Sequence, residues 1–183
     1  MAALLAATGC TTTVAPPAEI AEPARIALLD HGRHASLVLE TTDGGLVRYA
    51  YGDWRWYALR QTGFVDGVAA LLWPTQGTLG RRELPGPLDP ATVSEQVRVP
   101  IESAIYFDVE AAHADHLRAH LEQIYQANLE TRADGFAFDL VFLHHPEPYG
   151  MLHNSNQMVG HWLSELGCRV GGFALFSDWA VAS

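Results

Sequence analysis

The sequence predicts an α+β fold in which an antiparallel sheet packs on helices, and three stretches carry that prediction. Residues 35–41 and 46–51 are rich in β-formers and flank Asp43-Gly44-Gly45, a hairpin turn signal. Residues 111–129 place Ala114, Leu117, Leu121, Ile124 and Tyr125 on one helical face, with Glu110, Asp115, Arg118, Glu122 and Gln123 on the other. Residues 153–167 repeat Met158, Val159, Trp162, Leu163 and Leu166 at helical spacing and stop at Gly167.

Taken in order, the ordered domain is expected to span 24–183, preceded by a flexible tether over 1–23. Residues 25–30 form a short apolar run expected to be a buried strand, and the turn-like His31-Gly32-Arg33-His34 places His34 at the head of the hairpin's first arm. Residues 64–73 are expected to form a short helix ended by Pro74. Gly77, Gly80, Pro85, Gly86, Pro87 and Pro90 punctuate a loop-rich span around one strand near 79–84. Residues 96–101 and 104–107 are further strand candidates, 136–142 is a strand or buried turn, and 172–176 is a last strand. The 153–167 helix begins with Asn154 or Ser155 as cap, because a short side-chain oxygen satisfies the orphan N–H groups of a first turn.

A chain of 183 residues is long enough for one domain with a sizeable core. Its net charge of −10 and lack of a basic cluster exclude nucleic acid as a partner, since phosphate affinity rests on clustered Lys and Arg. The two cysteines have no pairing or C-x-x-C spacing; Cys168 is expected to behave as a small buried hydrophobe. Cys10 ends Leu4-Leu5-Ala6-Ala7-Thr8-Gly9-Cys10, which resembles the lipobox of a bacterial lipoprotein signal, although no basic residue precedes it. That resemblance implies a lipid anchor at Cys10, hence a membrane partner and a periplasmic envelope location; the alternative is an untargeted tail. No other stretch approaches the ~20 apolar residues of a membrane span.

Ser155 at a helix start and His34 on a strand form the leading chemical pair. A base takes the hydroxyl proton, the helix dipole favours the developing anion, and a third polar group orients the imidazole. Composition alone makes such a pair cheap in a chain with nine histidines. The motifs give it context. His31-Gly32-Arg33-His34-Ala35-Ser36-Leu37-Val38-Leu39 resembles the HGWHTGLVL signature of an uncharacterised bacterial envelope family; Tyr51-Gly52-Asp53-Trp54-Arg55-Trp56-Tyr57 resembles its WGDxxFY segment. Asn154-Ser155-Asn156 through Leu163 to Gly167 resembles its TCNxWTAxxLxxxG segment. That family is similar to circularly permuted papain-type folds, related to NlpC-type peptidases and lecithin-retinol-acyltransferase-like enzymes, in which a strand His comes first and a Cys at a helix start comes late.

The resemblance implies a papain-like cleft and an amide or ester hydrolase or acyltransferase, with Ser155 as nucleophile and His34 as base, acting on a cell-wall peptide or a lipid. Three positions depart from the family: Ser155 replaces Cys, Met158 replaces Trp, and Arg33 replaces the Trp of HGWH. The first matters most, because a thiol with a reference pKa of ~8.5 can be held as thiolate, whereas an alcohol must be deprotonated during attack. Another group associated with the fold carries Asn-Ser-Asn at this place. The second reading is therefore a catalytically inactive binding module on the same cleft.

Asp53 is the first choice for the orienting residue, since a carboxylate best stabilises an imidazolium, and Tyr51 the second; Asp53 could equally cap a helix starting at Trp54. Asn154, Asn156, Tyr51, His153 and Trp54 are expected to contribute binding contacts, with Asn156 either pointing its amide into the cleft or satisfying the first turn. His144, His145, His153 and His161 crowd one stretch but lack an H-E-x-x-H spacing, and His116 and His120 are an i, i+4 pair on the middle helix. The expectation is no metal and no cofactor. Trp54, Trp56, Tyr57 and Trp73 are expected to pack in the core before they floor a groove.

Overall fold

In the computed structural model the residues described are 11–60, 74–135, 137–172, 174 and 177–182. Their strands are β1 (Thr12–Ala15), β2 (Pro23–Asp30), β3 (Ala35–Glu40), β4 (Leu46–Asp53), β5 (Gly77–Leu84), β6 (Ser103–Glu110), β7 (Ala133–Gly135), β8 (Leu140–His144), β9 (Arg169–Gly171) and β10 (Trp179–Val181). The helices are α1 (Trp54–Tyr57), α2 (Pro90–Gln96), α3 (Ala111–Ala127) and α4 (Ser155–Glu165). The fold is mixed α+β. Seven strands pair antiparallel in the order β6-β2-β3-β4-β5-β8-β7, and a small sheet runs β10-β1-β9.

The large sheet is covered on both faces, which explains the unbroken apolar runs of β2 and β3. With a side-chain period of two, Ile26, Leu28, Leu37, Leu39, Tyr49, Tyr51, Leu79 and Leu143 face one way. They share a core with Leu117, Leu121 and Ile124 of α3 and Met158, Val159, Trp162 and Leu163 of α4. The intervening Ala27, Leu29, Val38 and Leu46 pack with Leu84, Val93 and Val97. Further along that second face, Ala50, Leu140 and Phe142 pack with Trp54, Tyr57 and Phe138.

The expected hairpin is present: β3 and β4 pair with Leu37 opposite Tyr49, and Gly44 takes a φ of +82° at the turn, a conformation glycine adopts without strain. Gly167 ends α4 with a φ of +84°, and Cys168 behind it is buried, its thiol pushed up to about 11 by desolvation. Four expectations change. Thr12–Ala15, expected within the tether, is the middle strand of the small sheet: its β-branched residues pair with β9 and β10, and Val14 is completely buried. Residues 90–96, ahead of the expected strand at 96–101, form α2, because Asp89 accepts from Thr92 N–H and Pro90 sits at the helix start; residues 97–101 lie outside any strand. Strand β8 begins only at Leu140, after a turn at 137–139 in which Asp139 has a φ of +57°. The last strand is Trp179–Val181, and of the segment expected there only Gly172 and Ala174 are described. The helix expected over 64–73, with Trp73, lies outside the described residues, as does Cys10.

Candidate functional site

The start of α4 is built by two asparagines with separate tasks. Asn154 adopts extended backbone and its Oδ1 accepts from the N–H groups of Asn156 (2.9 Å) and Gln157 (3.0 Å), so Asn154, and not Ser155, is the cap. The amide of Asn156, 1% exposed, crosses to the sheet: its Oδ1 accepts from Ala35 N–H at 3.0 Å and its Nδ2 donates to Arg33 C=O at 3.2 Å. One buried side chain therefore clamps the backbone on both sides of His34 to the first turn of α4. Ser155, next to that clamp and 5% exposed, makes no side-chain hydrogen bond among the described residues. Its hydroxyl is free of the capping role and sits where the helix dipole favours negative charge.

The ring of His34 is stacked on His31, with centroids 5.3 Å apart, and meets the edges of Tyr57 and Phe138 at 5.6 and 6.1 Å. Tyr57 reaches it because Gly52 leaves room; a Cβ at Gly52 would overlap the Tyr57 ring. Burial, followed by the nearby Arg48 guanidinium, lowers His34 from its ordinary 6.5 to about 4, leaving a neutral imidazole at pH 7. His31 falls to about 3, chiefly through burial and then Arg48, against the opposing hydrogen bond that its ring donates to Pro100 C=O. Arg48 itself, 1% exposed on β4, is lowered by desolvation to about 10 and remains a cation.

Ser155 and His34 are thus neighbours through Asn156, but no hydrogen bond joins them. Tyr57 and Phe138, which flank the His34 ring, pack on the face of the sheet opposite to α4. Asp53 is corrected from orienter to cap. Its Oδ1 accepts from Trp56 N–H at 2.8 Å and its Oδ2 from the Thr75 hydroxyl, so both oxygens are committed to α1 and the Thr75 strand bridge. Tyr51 is not an orienter of His34 either. It lies on the α4 face, donates to Glu147 C=O at 3.1 Å, and meets His145, His153 and Tyr149 with centroids 5.0, 5.6 and 6.0 Å away.

The other expected binding residues fall around these two groups. His153 Nε2 lies 2.7 Å from Glu147 Oε2, and Asn154 Nδ2 donates to Met151 C=O. Trp54 stands edge-on to His144 at 4.4 Å, part of the aromatic packing behind α1. His145 is buried, accepts from Glu147 N–H at its Nδ1, and is lowered mainly by desolvation to about 4. His161 pairs with Glu165 at 3.1 Å. His145 and His153 thus share Tyr51 and Glu147 while His144 and His161 turn elsewhere, and among the described residues no three His, Cys, Asp or Glu side chains group as a metal ion requires.

His31, Ser36 and Arg48 were not anticipated as site residues. The available signal was Arg48, a charge inside the otherwise apolar run Leu46-Val47-Arg48-Tyr49-Ala50-Tyr51, where an unpaired cation is rare. No family model matches the chain, and neither a curated protein nor a solved structure matches it.

Proposed function

We propose that the chain is an acyl hydrolase or acyltransferase on a papain-like, circularly permuted NlpC-type fold, with Ser155 as nucleophile and His34 as base. The observation that carries the reading is the Asn156 clamp, which ties the turn residue bearing the imidazole, one before β3, to the helix start bearing the hydroxyl. The chain order supports it too: the histidine comes first, immediately before a strand, and the nucleophile late, at a helix start. In the reaction His34, after its ring turns from the Tyr57 and Phe138 side of the sheet toward α4, takes the Ser155 proton as Oγ bonds to the substrate carbonyl carbon. The proton then passes to the leaving amine or alcohol as its bond breaks, and water or a second acceptor releases the acyl group from Ser155. The substrate class is a cell-wall peptide or a lipid acyl group.

A fluorophosphonate probe tests this. The native protein is expected to label at Ser155, S155A not at all, and H34Q at least ~100-fold more slowly, the usual scale for losing a general base. A folded native protein that stays unlabelled, while S155C gains reactivity toward a thiol-directed acyl probe, overturns it. That outcome supports the second reading, a binding module on the same cleft, which the capping role of Asp53 favours because it leaves His34 without a carboxylate.

We also infer an envelope lipoprotein anchored at Cys10. With Thr12 already buried in β1, only Thr11 separates the lipidated residue from the fold, which would hold the domain against the membrane surface. Labelling with a palmitate analogue should mark the native chain and not C10A; equal labelling of both removes the anchor.

A further inference from the structure

Arg48 is a buried guanidinium with neutral partners only. Its Nε donates to Ser36 Oγ at 3.0 Å, its Nη2 to His31 Nε2 at 3.2 Å and its Nη1 to Phe138 C=O at 3.4 Å; no carboxylate pairs with it among the described residues. A buried charge without a counter-ion is costly to fold, and replacing buried charges by apolar residues is often neutral or stabilising. Stability is therefore a poor account of its presence, and its partners suggest another.

His31 Nδ1 lies 2.6 Å from Pro100 C=O, an acceptor only, so the proton must sit on Nδ1 and Nε2 must present its lone pair. Nε2 then accepts from Arg48 Nη2 and from the Ser36 hydroxyl at 2.9 Å, while that hydroxyl accepts from Arg48 Nε. The Ser36 hydroxyl both donates and accepts and Nε2 is shared between two donors, so the His31 ring can neither flip nor change tautomer without breaking the array. His34 is stacked on the ring so held.

We propose that Arg48 is a positioning residue for His34: through Ser36 and His31 it fixes the surface, on the sheet face opposite α4, against which the resting imidazole is seated. The inference rests on the reading of His34 as the cleft's imidazole. The groups facing His34 are His31 from the β2–β3 turn, Arg48 from β4, Tyr57 from α1 and the apolar Phe138, with Asn156 of α4 on its backbone. None of these is an anion, and burial first, then the Arg48 guanidinium, keep the imidazole uncharged well into the acid range.

Nitrogen-15 NMR of histidine-labelled protein reads both effects without any substrate. In the native chain His31 should show a proton on Nδ1 alone, and His34 should remain uncharged at pH 5. In R48M the single-tautomer signature of His31 should disappear and the titration midpoint of His34 should rise by at least one pH unit. S36A should move both in the same direction by less, and R48K, which keeps the charge without the planar fork, should restore the low midpoint but not the tautomer signature. A native His34 that titrates near 6.5, or folded R48M protein with both signals unchanged, overturns the proposal. If R48M does not fold, the native titration and S36A decide. Because no step uses the fluorophosphonate, the array can stand where the hydrolase reading fails, and fail where that reading stands.

Discussion

Folding stability is expected to fall by several kcal/mol between pH 7 and pH 4. His31, His34 and His145 are lowered to about 3, 4 and 4, each first by burial. In the unfolded chain they take up protons near the ordinary 6.5, whereas the folded protein resists until its own lower values are reached. The unfolded state therefore binds more protons throughout that window, and stability rises with pH across it. One pKa unit is worth about 1.4 kcal/mol, so one buried and two half-buried imidazoles together put the effect on the order of several kcal/mol. Urea unfolding at fixed ionic strength and pH 7.5, 6 and 5 measures it. A midpoint as high at pH 5 as at pH 7.5 refutes it, and H145Q should flatten the dependence without removing it.

Asn156→Ala is expected to cost roughly 1–3 kcal/mol, because it strands the buried Ala35 N–H and removes the donor from the part-buried Arg33 carbonyl. Ala35 N–H and Arg33 C=O both lose their only side-chain partner, and water has little access to a residue 1% exposed. Asn156→Asp is an informative companion. It keeps an acceptor for Ala35 N–H but sets a carboxylate against Arg33 C=O, so the carboxamide's donor half is what it removes. Denaturant titration compared with N154A separates the clamp from ordinary capping, for which about 1 kcal/mol is typical. An N156A no less stable than N154A would mean that the clamp does not hold the helix start to the sheet.

Local chemistry made much of the fold legible. The Asp43-Gly44 turn, the apolar stripe of α3 and the short polar cap followed by Gly167 in α4 each act within a few residues, and each appears where the sequence puts it. The signals that failed were non-local or overlooked. Thr12–Ala15 carries no amphipathic pattern long enough to notice, and its strand state depends on partners more than 150 residues away. Asp89-Pro90 is a sound helix start, obscured by the prolines and glycines before it. At the site, the sequence placed Ser155 at a helix start and His34 beside a strand, yet the contact between those elements runs through Asn156. Asp53 offered two roles, and a carboxylate one residue ahead of a helix is satisfied locally before it reaches an imidazole. Arg48 announced a buried charge, but its three neutral partners come from a turn, a strand and a loop that only folding assembles.

Strand β1 lies between β9 and the parallel β10, and Thr11 bonds Asp178 across 167 positions of sequence. The chain is made from its amino end, so β1 exists before every strand of the large sheet and is among the last to find its neighbours. Until residues 169–181 have been synthesised, it presents two open edges with nothing of its own to pair with. The large sheet and α3 can assemble earlier, since β2 through β8 need none of those late residues. Biogenesis therefore has a long interval in which the middle of the domain is formed and its opening strand still has to be kept from foreign partners.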